Sequence, residues 1–318
     1  MKKVLVTGAA GCLGKLVIKY LLSEGKYEIT ALDLKTKNSF RTLRRYHKRV
    51  NVIYGDVTNP LLIDDLVKEH DYIIHLAGIK PSMAILKDKV SKEIDYKGCE
   101  NIVRAITFYN SKCMLIYPST TTVYGDTKEA VSTSSKVFTS KTDYYTNSRL
   151  EMEQLIKDRL SNYVIYRIPT ILSDNIKDDF VYNTPLNDET EFITANDCAY
   201  ALVKTIDHEK GLNKKTYNLG GGSSCTSSFA YVLKNILKIR GISFKYLWSF
   251  IFLEKLFHGH TYSDSSKINK TLEYQSESLE SYFMQLKRKT KFRWIQQILA
   301  KPFILGISLK ENNTSKNK

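Results

Sequence analysis

The chain has 318 residues, of which 42% are hydrophobic and 25% charged, and a net charge of +15. That length carries one large domain or two modest ones with a sizeable core, and the composition excludes a chain disordered over most of its length. The five cysteines (Cys12, Cys99, Cys113, Cys198, Cys225) are scattered without CxxC or Cys/His ligand spacing. This pattern argues against a disulfide frame or a zinc site; buried thiols in a reducing compartment and no metal are expected. His258 and His260 flank a glycine without ligand companions and read as loop residues.

Much of the positive charge is local. Residues 287–318 hold nine Lys/Arg and one acid, and a second cluster runs through Lys35, Lys37, Arg41, Arg44, Arg45, Lys48 and Arg49. Neither is accompanied by an RNA-binding aromatic signature or a finger spacing, so both read as solvated surface and no nucleic-acid partner is expected. Met1 leads directly into a strand, leaving no signal peptide, and no apolar run reaches the roughly 18 residues of a membrane span. A cytoplasmic protein is expected.

In chain order, apolar runs predict strands over 3–7, 28–33, 50–54, 72–76, 113–118 and 163–168. Between them helical periodicity covers 11–23, 60–69, 92–109 and 144–160. Short apolar strands alternating with helices indicate an α/β fold, a doubly wound parallel sheet covered on both faces. Ligands of such sheets lie beyond the carboxyl ends of the strands.

The first of those ends is Gly8-Ala9-Ala10-Gly11-Cys12-Leu13-Gly14. A strand entering a helix through glycines at this spacing presents backbone N–H groups and a positive helix terminus to a pyrophosphate. Asp33 closes the second strand 25 residues after Gly8. A carboxylate there accepts from the ribose hydroxyls and repels a 2′-phosphate, which favours NAD over NADP. Lys35 and Lys37 could instead hold that phosphate, and Asp33 could cap the next helix. Asp56, in Gly55-Asp56-Val57, ends the third strand where an adenine amino group would be met, or is a turn residue.

Further motifs close the later strands: Ile73-Ile74-His75-Leu76-Ala77-Gly78-Ile79-Lys80, then Tyr117-Pro118-Ser119-Thr120-Thr121-Thr122-Val123-Tyr124-Gly125, with Tyr145-Thr146-Asn147-Ser148-Arg149 opening a helix. With the glycine turn, these resemble the extended short-chain dehydrogenase/reductase superfamily, specifically its NAD-dependent epimerase/dehydratase family. The His-Leu-Ala-Gly-Ile-Lys and Val-Tyr-Gly segments are similar to those of UDP-glucose 4-epimerases. The likeness continues through Phe192-Ile193-Thr194-Ala195-Asn196-Asp197, Tyr217-Asn218-Leu219-Gly220-Gly221-Gly222 and Ser263-Asp264-Ser265-Ser266-Lys267. It implies a Rossmann domain over 1–170, a small C-terminal substrate-binding subdomain over 171–290 with elements returning to the core, and a basic helix and disordered tail over 291–318.

The resemblance also implies roles. Gly8, Gly11, Cys12, Leu13, Gly14, Asp33, Asp56, Val57, Leu76, Ala77, Gly78, Lys80, Tyr145, Arg149 and Pro169 would line the cofactor, and Thr120, Tyr145 and Arg149 would be catalytic. A carbinol losing hydride must also lose its hydroxyl proton, so a base is needed; a fixed cation beside a phenol favours its phenolate. Thr120 lies three residues before Val123 and 25 before Tyr145, the family's spacing, with Ser119 and Thr121 as competitors.

Three departures stand out. The family's Lys four residues after the tyrosine is Arg149, which shares a helix face with Tyr145 but cannot relay a proton as an ammonium does. This leaves open a working catalyst with a modified relay, very slow chemistry, or a dinucleotide-sensing protein without turnover. The family's Asn-x-x-Gly element reads Asp95-Tyr96-Lys97-Gly98, with Asp95 taken as a surface helix position. About 27 acid-rich residues separate Thr170 from Asp197, against a longer substrate segment in nucleotide-sugar enzymes. A nucleotide sugar held by fewer contacts and a smaller carbonyl compound both remain open as substrates. The apolar stretch 247–257 could be core, cleft cover or a homodimer seam. The basic helix near 292–301 could dock on its own domain or lie on an anionic membrane.

Overall fold

Val4, Leu5 and Val6 are fully buried, and alternate side chains of this one strand enter two different cores. A strand whose successive side chains point to opposite faces can be apolar throughout only if both faces are covered. The computed structural model describes residues 1–79, 92–125, 127, 129–139, 144–174, 186–241 and 259–290. Among them, β1 (Lys2–Thr7), β2 (Tyr27–Asp33), β3 (Asn51–Tyr54), β4 (Tyr72–His75), β5 (Met114–Thr120) and β6 (Tyr163–Ile168) form the expected parallel sheet. They are flanked by α1 (Cys12–Glu24), α2 (Lys37–Leu43), α3 (Pro60–Lys68), α4 (Lys97–Tyr109) and α5 (Tyr144–Arg159).

The sheet order places β1 between β2 and β4. Thr7 is in register with Leu32 on one side and His75 on the other. The strand order reverses direction at β1, so crossovers depart to opposite faces there and a crevice opens at its carboxyl end. On one face Val17, Ile18 and Leu21 of α1 pack with Val4, Val6 and Ile74; on the other Ile63, Ile102 and Ile156 pack with Leu5, Ile73 and Leu115.

Local signals set the helix ends. Gly25 stops α1 in the left-handed conformation at φ 65°. The Asn59 side chain accepts from the N–H groups of Leu61 and Leu62, with Pro60 at the first helical position of α3. The predicted helix from 92 is divided: Lys92–Tyr96 forms a π turn leading into α4.

Some elements were not foreseen. The basic run after Asp33 includes the helix α2, opened by a reciprocal cap between Thr36 and Ser39, and its seven Lys and Arg residues are exposed. A seventh parallel strand, β7 (Lys215–Asn218), joins the edge of the sheet beside β6. A helix over Ala195–Lys204 packs with α1 through Cys198, Ala201 and Leu202. Farther on, α6 (Phe229–Ile239) and α7 (Leu279–Thr290) share a separate core built on Phe192, Phe229, Leu233, Leu279 and Tyr282. Four of the five cysteines are buried, but Cys12 is exposed. No described helix is long and apolar enough to cross a membrane. The 247–257 stretch, the basic 292–301 segment, Lys80 and His258 lie outside the described residues.

Helix α1 leaves β1 at a spacing that admits no side chain at Gly14, where a Cβ would lie 2.7 Å from the Ala9 carbonyl oxygen. The clash is with backbone, which cannot swing aside. Gly14→Ala is therefore expected to lower stability by about 1–3 kcal/mol, despite alanine's better helix propensity. Denaturant unfolding checks this; an unchanged midpoint would show that the turn can widen.

Candidate active site

The carboxyl ends of β1, β2 and β4 are tied together at the glycine turn. Gly8 is left-handed at φ 65°, and a Cβ there would lie 2.7 Å from backbone atoms of Leu76 and Ala77. The Ala77 N–H donates to Thr7 Oγ1 at 3.1 Å, and that oxygen shares a 2.7 Å hydrogen bond with His75 Nδ1. From the other side Asp33 Oδ2 accepts from the Ala10 N–H at 2.8 Å. Burial raises the Asp33 carboxyl above its ordinary value, with the Ala10 and Leu34 N–H groups pulling it back. Thr36, not Asp33, caps the next helix.

No side chain caps α1 after Gly11, and no acid sits in its first turn. A helix terminus in this state, reached past a glycine that cannot carry a Cβ, fits a phosphate group. Cys12 is exposed there and Leu13 packs on the core. Asp56 is exposed and accepts from the Thr58 N–H at 2.9 Å, so it also holds its own turn. Val57 beneath it is buried, and its carbonyl oxygen accepts from Asn101. Pro169 lies buried just past β6.

Thr120, Tyr145 and Arg149, the residues the resemblance names, come from the end of β5 and the first turns of α5. The ring of Tyr145, in the first turn of α5, lies 5.1 Å from the guanidinium carbon of Arg149, one turn on. Thr120 ends β5; its Oγ1 lies 3.2 Å from Thr122 Oγ1, which accepts from Thr146 at 2.8 Å. This hydroxyl chain joins the end of β5 to the residue beside Tyr145. Ser119 is engaged elsewhere, donating to Glu153 Oε1 at 2.6 Å. Glu153 is buried and pairs with Arg167 through two nitrogens, at 3.0 and 2.8 Å. Burial opposes its charge, yet Arg167, Ser119 and Lys157 together hold its carboxyl below the ordinary value. Arg167 also donates to Tyr124 at 3.1 Å, and Tyr124 donates to Asn218 at 2.6 Å, anchoring the Val-Tyr-Gly loop from beneath. His260, read as a loop residue, is buried, with Nε2 2.8 Å from the Gly125 carbonyl oxygen.

Asp95 requires a correction. It is not a surface helix residue: it is buried, and its Oδ2 lies 3.2 Å from Arg149 Nη2 while Oδ1 accepts from the Ile79 N–H at 2.6 Å. Arg149 Nη1 donates to the fully buried Tyr117 hydroxyl at 3.0 Å. Burial disfavours the Arg149 charge, but Tyr117, Asp95 and Tyr145 outweigh it and raise its pKa. Tyr117 and His75, stacked at 6.2 Å, were overlooked because each reads as an ordinary strand residue. Asp95 was legible only as a departure, and its meaning lay in a second departure 54 positions away.

The family model described as the NAD dependent epimerase/dehydratase family matches residues 4–220. The chain belongs to that family. Among curated relatives, UDP-glucose 4-epimerase of Yersinia enterocolitica is 30% identical over 166 residues, which are 49% of this chain and 48% of the relative. CDP-paratose 2-epimerase of Salmonella typhi is 32% identical over 132 residues, 40% of this chain and 39% of the relative. The matches thus span about half or less of these relatives. Among solved structures, UDP-glucose 4-epimerase from Bifidobacterium longum in complex with NAD+ and UDP superposes with a TM-score of 0.75 at 22% identity, covering 92% of this chain and 99% of that one.

His75 lies beneath this site and carries a pH signature. Burial, reinforced by the nearby Arg149 charge, lowers its pKa from 6.5 to about 3. The unfolded chain binds this proton near pH 6.5 and the folded chain only near pH 3. The contribution is therefore complete above pH 6.5 and is lost as pH falls through that window. The loss amounts to about 2 kcal/mol between pH 6.5 and pH 5. Denaturant unfolding at pH 7 and pH 5 is expected to show the parent losing about that much more than His75→Gln. Equal losses in the two proteins would assign the window to other groups.

Proposed function

We propose that this chain is an NAD-dependent oxidoreductase of the epimerase/dehydratase type, acting on a hydroxyl or keto group of a sugar, with a nucleotide sugar as substrate. The observation that supports the reading is the Tyr145–Arg149 contact beside Gly78 at the end of β4, with the hydroxyl chain from Thr120 reaching the start of α5. The names of the relatives, a UDP-glucose epimerase and a CDP-paratose epimerase, support the substrate class.

The residues present fit the cofactor. The uncapped α1 terminus and the Gly8 cradle would receive the pyrophosphate, and Asp33, with its Oδ2 steadied by Ala10, would meet the adenosine ribose. When bound, NAD supplies the hydride acceptor. Tyr145 is the group placed to take the proton from the substrate hydroxyl whose carbon is oxidised and to return it when the keto group is reduced. Thr120 donates a hydrogen bond to the same oxygen. Arg149 lies under the Tyr145 ring, its guanidinium carbon 5.1 Å from the ring centre. The Arg149 and Asp95 side chains beneath it are 11% and 1% exposed.

Calorimetric titration is expected to show NAD+ binding by both the parent and Tyr145→Phe. A nucleotide-sugar panel is expected to change the reduced-nicotinamide absorbance reversibly in the parent, and about 10²- to 10⁴-fold more slowly in the variant. Absence of dinucleotide binding would overturn the reading. Tight NAD+ binding with no absorbance change across a broad panel would favour a sensor instead.

A further inference from the structure

The two positions at which the chain departs from its family's catalytic pattern, Asp95 for Asn and Arg149 for Lys, touch each other. In the family pattern the pair carries one net positive charge, whereas here it carries none. The contact is confined: a Cβ on Gly78 would lie 3.0 Å from both Arg149 Nη2 and Asp95 Oδ1, so the end of β4 closes over it. Among the described residues, the groups facing the pair from the other packed elements are His75 on β4, Tyr117 on β5, Cys99 on α4 and Tyr145 on α5. Burial lowers the His75 imidazole to about 3 and pushes the Cys99 thiol up to about 12, so neither adds a charge near neutrality. Tyr117 is likewise shifted up by burial.

We propose that Asp95 is a positioning residue that holds the Arg149 guanidinium under Tyr145 and cancels its charge, keeping the nicotinamide end of the cleft electrically neutral. The inference rests on the cofactor assignment above. Its consequence is a preference between cofactor forms. Oxidised nicotinamide carries a positive ring and reduced nicotinamide does not, so an unpaired cation here disfavours NAD+ relative to NADH. A unit charge left unpaired in a partly buried site changes that affinity ratio on the order of tenfold. The guanidinium also needs the carboxylate structurally, because a buried ion without its partner is strongly unfavourable.

Dissociation constants for NAD+, by calorimetry, and for NADH, by fluorescence titration, test this without requiring turnover. Asp95→Asn is expected to raise the ratio of the NAD+ constant to the NADH constant by about tenfold. Arg149→Gln, which leaves the carboxylate alone, is expected to lower it. The double variant Asp95→Asn with Arg149→Gln, and Arg149→Lys with Asp95 intact, are expected to stay within about twofold of the parent ratio, since each is neutral overall. If Asp95→Asn does not fold, Arg149→Gln and the double variant still read the effect. Equal weakening of both cofactor forms in the single variants, with an unmoved ratio, would show a merely structural contact and overturn the proposal. A parent that binds neither form would instead overturn the cofactor assignment, and the inference would fall with it.

Discussion

The turn from Gly8 to Gly14 meets the end of β4 with no room for a methyl group, and the geometry of the cleft follows from that contact. Gly8 would place a Cβ against the backbone of Leu76 and Ala77, and Gly14 would place one against Ala9. Thr7 bonds to the same Ala77 and to His75, and Asp33 bonds to Ala10. Three strand ends are thus fixed to one another within a single turn. The α1 terminus is held facing the crevice, preorganised rather than assembled when an anion arrives.

Helix α5 is fastened to the sheet by charge as well as by packing. Its apolar contribution to the core is modest, chiefly Met152 and Ile156. Arg149 and Glu153, one turn apart, do the rest: Arg149 reaches Tyr117 on β5, and Glu153 reaches Ser119 on β5 and Arg167 on β6. Removing one partner of a buried ion pair commonly costs about 3–5 kcal/mol. A helix docked this way cannot rotate or slide without exposing an unpaired ion. Tyr145, in its first turn, inherits that rigidity. The same network separates two neighbouring hydroxyls, because Ser119 faces Glu153 while Thr120 faces Thr122 and the start of α5.

The six core strands and four of their helices were legible in the sequence because their patterns are strong and local. Each strand carries an apolar run at its centre, and the glycine, Pro60 and Asn59 signals mark helix starts by short-range chemistry. Helix α2 was missed because its basic residues face solvent around only a few buried positions, Ser39, Thr42 and Leu43. The edge strand β7 was missed because Lys215-Thr216-Tyr217-Asn218 is half polar and only one neighbour pairs with it. In the site, residues at a fixed spacing could be named from the sequence, while the contacts of Asp95, Tyr117 and His75 could not. Their importance comes from contacts between β4, β5, α4 and α5, and such contacts leave no periodic trace in a single chain.

Taken alone, Arg149 reads as damage, because a planar guanidinium cannot occupy a lysine's place with the same contacts or lose a proton on demand. Its surroundings give a different account. The larger head group is met by two acceptors on different elements, Asp95 in the π turn and Tyr117 on β5, and a glycine at 78 leaves space over the guanidinium and Asp95. An arginine arriving without a carboxylate would have introduced a buried, uncompensated ion, and a carboxylate arriving without the arginine would have done the same with the opposite sign. The charge of the Asp95–Arg149 pair, rather than the identity of either residue, is what this end of the cleft presents.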